Sequence, residues 1–449
     1  MKQNKYEIDM CNGTIMDKLI SFSLPLMLSG ILQLMFNAVD IVVVGRFSGS
    51  QALAAVGSTT ALINVFTNLF IGISLGANVL AARFFAAGKD REMSETVHTS
   101  ITLALISGVI MAFVGLFFSR GALELMATPS DVIDQSALYM KIYFLGMPFF
   151  MLYNYGAAIL RAVGDTKRPL IFLIISGSVN AVLNMILVIV FHLDVAGVAI
   201  ATVISQMISC ILVLRCLYRS EGSYQLRFSR LMINKTYLKQ IFQVGIPAGI
   251  QSTVINFSNV LLQSSVNSFG STAMAGYTAA NNIFGFLYVA VNSVTQACMS
   301  FTSQNYGVRK YKRMDKVLID CIIISMTTSL VLGCSAYFFG PEILKIYTDN
   351  EEVVRSGMEI LSFTTLTYFL CGLMDVMVGS MRGMGYSFLP MIVSLIGACG
   401  LRVVWIFTVF QWHRSLFMLY LSYPITWTIT ALAHMACWYV VMYKKQPNK

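Results

Sequence analysis

The residues of this chain that could do chemistry lie inside apolar runs, and the first of them is an acid. Residues 21–46 (SFSLPLMLSGILQLMFNAVDIVVVGR) are long enough to cross a bilayer, yet they include Asp40. A carboxylate at membrane depth costs about 2.5–3.5 kcal/mol on insertion scales, so by default it indicates a functional group. Gln33, Asn37 and Asp40 are spaced i, i+4 and i+7, which places them on one helix face turned away from lipid. The alternative is that Asp40 only forms a hydrogen bond between helices.

Other apolar runs contain amide side chains at helical spacing and a second acid. Any one such group can simply join two helices, which is worth about 0.6 kcal/mol on average. Taken together they predict a polar cavity within the membrane. The predicted cavity residues are Gln33, Asn37, Asn68, Asn154, Asn256, Asn259, Gln263 and Asp375. For Asp375 a second interpretation stays open, a structural ion pair with Arg402 inside the membrane.

The motifs of common enzyme classes do not account for these residues. The four histidines are far apart, and the sequence contains neither a phosphate-binding G-x-x-x-x-G-K-[ST] loop nor an H-E-x-x-H pair. The nine cysteines are scattered without a C-x-x-C pair, which predicts small buried hydrophobic residues rather than disulfides or metal ligands. We therefore predict a protein that is not an enzyme and that has no cofactor.

The composition is that of a polytopic membrane protein. Of the 449 residues, 57% are hydrophobic and 12% are charged, whereas soluble proteins contain about 25% charged residues. The net charge of +10 could indicate a nucleic-acid partner. Its distribution argues against that, because the basic residues cluster in short loops between apolar runs. The predicted partners are the lipid bilayer and small molecules, with no nucleic acid, and the chain is predicted to be a monomer.

Apolar runs of at least 18 residues predict the transmembrane helices. Twelve spans result, which gives an all-α fold: 19–44, 52–80, 96–118, 137–160, 169–191, 196–217, 241–267, 272–301, 317–339, 357–380, 389–410 and 416–442. No small-residue cleavage site follows the first run, so it is predicted to be a span rather than a signal peptide.

The positive charges predict the topology. The N-terminus, the even-numbered loops and the C-terminus hold 24 of the 31 Lys and Arg residues. Positively charged loops remain in the cytoplasm. Both termini are therefore predicted to lie on the cytoplasmic side of the cell (inner or plasma) membrane.

The second half of the chain repeats the first with an offset of 221 residues, which carries Gly164 to Gly385. Each repeat has six spans, an even number, so both enter the membrane from the same side around a pseudo-two-fold axis. The predicted organisation is an N-lobe (1–217), a cytoplasmic connector (218–240) and a C-lobe (241–449). Two six-helix bundles of this kind are typical of a transporter.

Short motifs spread over nearly the whole chain are similar to those of one transporter family. They are the Ser-Leu-Pro-Leu run that leads to Asn37–Asp40, Val44–Arg46, Gly49 with Ala52–Ala55, Leu160–Thr166, Asn180, Gly197–Thr202 and Ser303–Gly307. In these the chain resembles the multidrug and toxic compound extrusion (MATE) family. The resemblance implies a two-lobe secondary antiporter that exports organic cations or amphipathic drugs and metabolites by alternating access, driven by H⁺ or Na⁺.

The resemblance also implies a coupling site in the N-lobe. One branch of the family combines a carboxylate on the first helix, an Asn and, four residues later, an Asp on the fifth, and a Thr on the sixth. The matching residues of this chain are Asp40, Asn180, Asn184 and Thr202. Because Asn184 replaces the second acid, the coupling ion stays open between H⁺ and a Na⁺ held by these four residues.

Two other function classes are alternatives to the antiporter. A lipid-linked oligosaccharide flippase of the same superfamily would favour a strongly basic cavity, whereas Arg402 is the one clearly intramembrane basic residue of the predicted spans. A membrane-embedded enzyme would need paired ligands or a nucleophile and base near the membrane surface, and the sequence contains no such pattern.

The predicted topology can be tested by labelling single cysteines. In a background without the nine native cysteines, Gln225→Cys should react with an impermeant maleimide only from the cytoplasmic side, because residue 225 lies in the basic connector. Asn350→Cys, in an acidic odd-numbered loop, should react only from outside. The opposite labelling pattern would contradict the assignment.

Overall fold

Helices form the architecture of residues 6–126 and 128–444, the part of the chain that this computed structural model describes. They are α1 (Met16–Phe47), α2 (Gly49–Ala86), α3 (Asp90–Leu125), α4 (Ile133–Leu145), α5 (Met147–Ala162), α6 (Lys167–Asn184), α7 (Asp194–Arg219), α8 (Lys235–Asn267), α9 (Ser271–Gly307), α10 (Tyr311–Phe338), α11 (Gly340–Lys345), α12 (Glu351–Gly383), α13 (Phe388–Ser394), α14 (Leu401–Phe407), α15 (Val409–Trp412) and α16 (Leu416–Tyr439). π-helical turns follow α6 (Met185–Val190), α13 (Leu395–Gly400) and α16 (Val440–Lys444). The predicted all-α fold class is confirmed.

The multi-pass character of the chain is also confirmed. Within the described residues, 10 helical segments are long and apolar enough to cross a membrane. Helices α4 and α5 would add one more span if they are counted together. They are bent by 47° at the break between them, which lies next to Pro148, a residue that cannot continue a regular helix. The remaining predicted span, 241–267, corresponds to α8, which has 33 residues but is less apolar than the others.

The described chain divides into two compact units. The first contains residues 6–9 and 28–249, and the second contains residues 10–27 and 250–444. Two of the three boundaries therefore fall inside α1 and α8, whereas the division predicted from the sequence lies in the connector, between whole helices. The first part of α1, up to residue 27, belongs to the second unit, and the first part of α8, up to residue 249, belongs to the first unit.

Small residues explain why the first part of α8 groups with the first unit. Gly72 and Gly76 of α2 face Gly245 and Gly249 of α8 so closely that backbone meets backbone. A Cβ atom at Gly249 would lie 2.6 Å from the carbonyl oxygen of Leu69. Without side chains between them the two helices approach each other directly, as small residues allow in membranes.

Residues 72–76 also have the G-x-S-x-G letters that surround a nucleophilic serine in some hydrolases. Here they lie inside the continuous helix α2. Ser74 is buried and donates its hydroxyl to the carbonyl oxygen of Ile71 at 2.7 Å. A nucleophile would need an exposed hydroxyl on a strand-to-helix turn, so this stretch serves helix packing.

The two halves of the chain end their equivalent helices in the same way. Gly164 and Gly385 follow α5 and α12 with φ of 95° and 92°, a left-handed conformation that favours glycine. In both places the residue after the glycine donates its N–H to the carbonyl oxygen five residues earlier, at 2.9 Å. The predicted repeat is therefore present in the backbone geometry.

The predicted cytoplasmic positions of the termini stay predictions. They depend partly on positive charges that lie outside the described residues, namely Lys2, Lys5, Lys445 and Lys449.

The packing of α2 against α8 can be tested with two glycines of the same helix. Gly72→Ala should destabilise the protein by about 1–3 kcal/mol, because the added Cβ collides with the backbone of Gly249. Gly57→Ala is the control, since a Cβ there meets nothing within 4 Å. Alanine is favoured over glycine in helices by about 1 kcal/mol, so this variant should be as stable as the parent or more so. The measurement is thermal unfolding in detergent, and equal Tm shifts for the two variants would contradict the packing argument.

Candidate coupling and substrate site

Three helices of the first unit bring the four predicted coupling residues together. Asp40 lies in the second half of α1, and Thr202 lies in the first half of α7. Asn180 and Asn184 are one turn apart at the end of α6, so they share a face of that helix. A π-helical turn begins directly after Asn184, and such turns are frequent at functional sites.

Hydrogen bonds connect these four side chains. The amide group of Asn184 donates to the carboxylate of Asp40 and, at 3.2 Å, to Oδ1 of Asn180. Nδ2 of Asn180 donates to Oγ1 of Thr202 at 3.5 Å. The Thr202 hydroxyl in turn donates to the carbonyl oxygen of Val198 at 2.9 Å. The cluster therefore runs without a break from the carboxylate to the backbone of α7.

Two members of this cluster are deeply buried, and one of their atoms is left without a partner. Asn180 is 4% exposed and Asn184 is 0% exposed, while Asp40 and Thr202 are half-buried. Oδ1 of Asn184 has no hydrogen-bond partner among the described residues. A buried acceptor of this kind costs about 1–3 kcal/mol unless it is satisfied. Oδ1 belongs to the same amide group whose NH₂ donates to Asp40. It could therefore accept a hydrogen bond from a protonated Asp40 or bind a cation held by that carboxylate.

The site has one carboxylate, which limits what it could bind. No group of three or more His, Cys, Asp or Glu side chains that could hold a metal ion occurs in residues 6–126 and 128–444. The oxygens available beside Asp40 are the neutral ones of two amides and one hydroxyl. Such a set suits a monovalent ion or a proton rather than a divalent metal.

The close approach of α1 to α6 depends on a glycine beside the polar cluster. The ring of Phe36 occupies the space that a side chain at position 177 would take. Phe36 lies one turn before Asp40 on α1, and Gly177 lies two turns before Asn184 on α6. This contact therefore sets the spacing of the two helices next to the Asp40–Asn184 hydrogen bond.

Two tyrosines near Asp40 were not predicted. Tyr139 and Tyr143 of α4 have ring centroids 6.1 Å apart, and both lie close enough to interact electrostatically with Asp40. Gln206, one turn after Thr202, has a buried Oε1 without a partner among the described residues. The i, i+4 spacing of the tyrosines was a possible signal, but abundant aromatic residues elsewhere in the spans make it a weak one.

The predicted cavity residues outside this cluster have different surroundings. Asn154 donates to the carbonyl oxygen of Phe150 on its own helix at 2.8 Å. Gln33, Asn37 and Asn256 are exposed, and Asn68, Asn259, Gln263 and Asp375 are half-buried. The structure therefore does not bring all of these residues into one described cluster.

In the second unit, the ion pair considered for Asp375 and Arg402 is not formed, and this interpretation was wrong. Arg402 donates to Oδ1 of Asn259 at 3.1 Å and lies 4.4 Å from the ring centroid of Tyr423. Asp375 instead shares a face of α12 with Arg382, which lies seven residues later.

A buried polar network of the second unit also escaped prediction. Arg382 donates to Oε1 of Gln251 at 2.8 Å, and Nε2 of Gln251 donates to Oγ of Ser394 at 3.0 Å. Ser394 in turn lies 3.0 Å from Nε2 of His434. All four side chains are buried. Their positions in the sequence are far apart, so no local spacing could have indicated the network.

The MatE family model matches residues 25–186 and again residues 247–408. The two matches together span well over half of the chain. The chain belongs to the MatE family. The resemblance and the internal repeat predicted from the sequence are thereby confirmed. Since the family is one of transporters, the expectation that this protein is not an enzyme is confirmed as well.

Relatives of this MATE protein match it over most of its length. The probable multidrug resistance protein YoeA of Bacillus subtilis is 28% identical over 435 residues, which is 95% of this chain and 94% of the relative. The multidrug export protein MepA of Staphylococcus aureus is 24% identical over 369 residues, 82% of this chain and 81% of the relative.

Solved structures support the fold assignment. A multidrug resistance MATE family transporter of the MOP superfamily, solved in an outward-facing conformation, matches with a TM-score of 0.93. The sequence identity is 19%, and all of both chains is covered. At this identity the match shows the fold, and it leaves the chemistry of the site to the residues of this chain.

The number of carboxylates in the cluster can be tested separately from their position. Asn184→Asp adds a second acid next to Asp40, so transport should become more dependent on Na⁺, because a cation gains more from two charges than from one. The control is Asp40→Asn combined with Asn184→Asp, which moves the single acid to α6. We expect this control to lack the added Na⁺ dependence, measured as dye efflux from proteoliposomes with and without a Na⁺ gradient. Equal Na⁺ dependence of the two variants would contradict the argument from charge number.

Proposed function

We propose that this MATE protein is an antiporter that exports organic cations and amphipathic drugs or metabolites in exchange for protons. The observation that supports the proposal best is the Asp40 carboxylate, held by Asn184 within a cluster that is otherwise neutral. A single acid can be neutralised by one proton or by one organic cation. Competition of the two for one carboxylate is the simplest basis for antiport.

The amide of Asn184 makes protonation of Asp40 chemically reasonable. Its NH₂ group donates to the ionised carboxylate, and its Oδ1 is an acceptor without a partner among the described residues. A proton on Asp40 turns one carboxyl oxygen into a donor. Rotation of the same amide would then satisfy that donor, so one side chain can hold both protonation states.

Na⁺ is a less favourable coupling ion for the same cluster. Oδ1 of Asn180 and Oγ1 of Thr202 already accept hydrogen bonds from the neighbouring amides. A Na⁺ ion would need these oxygens as ligands, so it would have to share them with the N–H groups that already point at them. The attraction of a single carboxylate for Na⁺ does little to offset that competition. We therefore favour H⁺ over Na⁺ as the coupling ion.

Coupling of proton and drug follows from linkage. If protonation of Asp40 weakens its attraction for a cation, the cation must equally weaken proton binding. Protonation of Asp40 from outside can then release the drug there, and loss of the proton to the cytoplasm restores the carboxylate for the next drug molecule. The names of the relatives YoeA and MepA, which refer to multidrug resistance and multidrug export, favour drug-like cargo.

A lipid-linked oligosaccharide flippase is the less supported alternative. Its cargo bears a pyrophosphate, which needs several cationic groups at membrane depth. Two guanidiniums of the described residues are buried, and each already donates to a different amide: Arg402 to Asn259, and Arg382 to Gln251. Because one chain contains both repeats, we propose that the protein acts as a monomer in the cell membrane. We also propose that both termini lie in the cytoplasm, as the distribution of positive charges predicts.

The decisive experiment measures ethidium efflux from proteoliposomes with proton and Na⁺ gradients imposed separately. We expect wild-type efflux to follow the proton gradient, and Asp40→Asn to lower it at least about tenfold, as loss of a group worth about 1.4 kcal/mol or more would do. The matched control is Asp375→Asn, an equal change at the other intramembrane acid, which should keep most of the activity. Wild-type rates in Asp40→Asn, with activity lost in Asp375→Asn, would transfer the coupling role to Asp375.

The cargo class can be tested in cells. Expression in a pump-deficient bacterium should raise resistance to ethidium, and Asp40→Asn should abolish that gain at equal expression. Rescue of a cell-wall precursor flippase mutant, without any gain in dye resistance, would instead support the flippase alternative.

A further inference from the structure

Arg402 is a buried positive charge of the second unit that has no acidic partner among the residues that the structure describes. Its side chain is 3% exposed. The ion pairs of residues 6–126 and 128–444 do not include it. A buried charge without a counter-charge is strongly unfavourable inside a membrane protein, so in general it indicates a function.

The contacts of Arg402 satisfy only part of its hydrogen-bonding capacity. One terminal nitrogen donates to Oδ1 of Asn259 at 3.1 Å, and the guanidinium carbon lies 4.4 Å from the ring centroid of Tyr423. Nε, in contrast, has no acceptor among the described residues. A guanidinium offers five N–H donors arranged for a planar carboxylate. The NH₂ group of Asn259 is a further donor beside it.

Aromatic rings surround this guanidinium. The hydroxyls of Tyr277 and Tyr423 are 3.4 Å apart, and Tyr277 lies close enough to interact electrostatically with Arg402. The ring centroids of Tyr423 and Trp427 are 5.2 Å apart, and Tyr277 stacks on Tyr420. Such surroundings suit a ligand with a flat apolar body.

The depth of Arg402 restricts the source of the anion. The helical segment Phe388–Trp412 holds Arg402 near its middle. At 1.5 Å per residue, its ends lie about 15–21 Å from Arg402 along the axis. The phosphate of a lipid headgroup stays at the membrane surface and is therefore out of reach, whereas a carboxylate on a transported molecule is not.

We propose that Arg402, with Asn259, is the site that recognises the carboxylate of those aromatic substrates that bear one. The proposal rests on the proposed drug-export function. Asn256 and Asn259 are three residues apart on one face of α8, and Asn256 is exposed. The polar face of α8 thus continues from Arg402 to an accessible side chain. One guanidinium matches one carboxylate, and it does not match a polyanion.

The test uses two dyes that differ only in this group. Rhodamine 19 has a free carboxylate, and rhodamine 6G is its ethyl ester, with the same cationic ring system. Binding to the purified full-length protein is followed by fluorescence polarisation, and export is followed in proteoliposomes.

Arg402→Gln should weaken binding and export of rhodamine 19 at least about tenfold, as expected for loss of a charged hydrogen bond. Rhodamine 6G should change less than about twofold, because an ester lacks the charge that the guanidinium pairs with. Arg402→Lys keeps the charge and should recover part of the loss.

A second variant keeps the experiment decisive if Arg402→Gln does not fold. Asn259→Asp is nearly isosteric and places a carboxylate where Arg402 already donates. This internal anion should occupy the guanidinium and exclude the carboxylate of rhodamine 19, so binding of rhodamine 19 should fall relative to binding of rhodamine 6G. Equal loss of both dyes in the variants would show a structural role, and unchanged rhodamine 19 binding in Asn259→Asp would likewise overturn the proposal. If the wild type exports neither dye but binds rhodamine 19 through Arg402, the proposed export function fails and the carboxylate site stands.

Discussion

The hydrogen bond from Asn184 to Asp40 is the interaction on which the first unit depends. It joins α6 to α1 inside apolar helices, where an ionised carboxylate without a partner would be strongly disfavoured. The bond can form because Gly177 leaves room for Phe36, so the two helices approach closely. Asn180 and Thr202 extend the contact to α7. The charge of Asp40 is thus held by neutral groups from two other helices, and this is the arrangement on which the proposed exchange of proton and cation rests.

The two halves of the chain share a backbone plan but differ in the polar groups that they contain. Gly164 and Gly385 end equivalent helices with the same left-handed turn. The first unit, however, places a carboxylate among amides, whereas the second places the guanidinium of Arg402 among aromatic rings. The two repeats therefore share their helix ends, while differences at individual positions determine which charge each unit contains. The two units therefore contain polar groups of opposite charge, and our proposals assign a recognition role to each.

Glycine-mediated packing has a second consequence for the organisation of the molecule. The stretch of α8 up to Gly249 packs against Gly72 and Gly76 of α2 and belongs to the first unit. Residues 10–27, at the start of α1, belong to the second unit. Each of these two helices is thus divided between the two units.

The sequence by itself determined the all-α class, the apolar spans, the internal repeat and the helix faces that bear Asp40, Asn180 and Asn184. These follow from composition and spacing, because a helix places residues three, four and seven apart on one side whatever surrounds it. Only the tertiary structure decided the partners: Arg402 meets Asn259 and Tyr423 rather than Asp375, and His434 joins Arg382 through Gln251 and Ser394. Partners lie on different helices, and their meeting depends on how closely those helices pack, which local spacing does not encode.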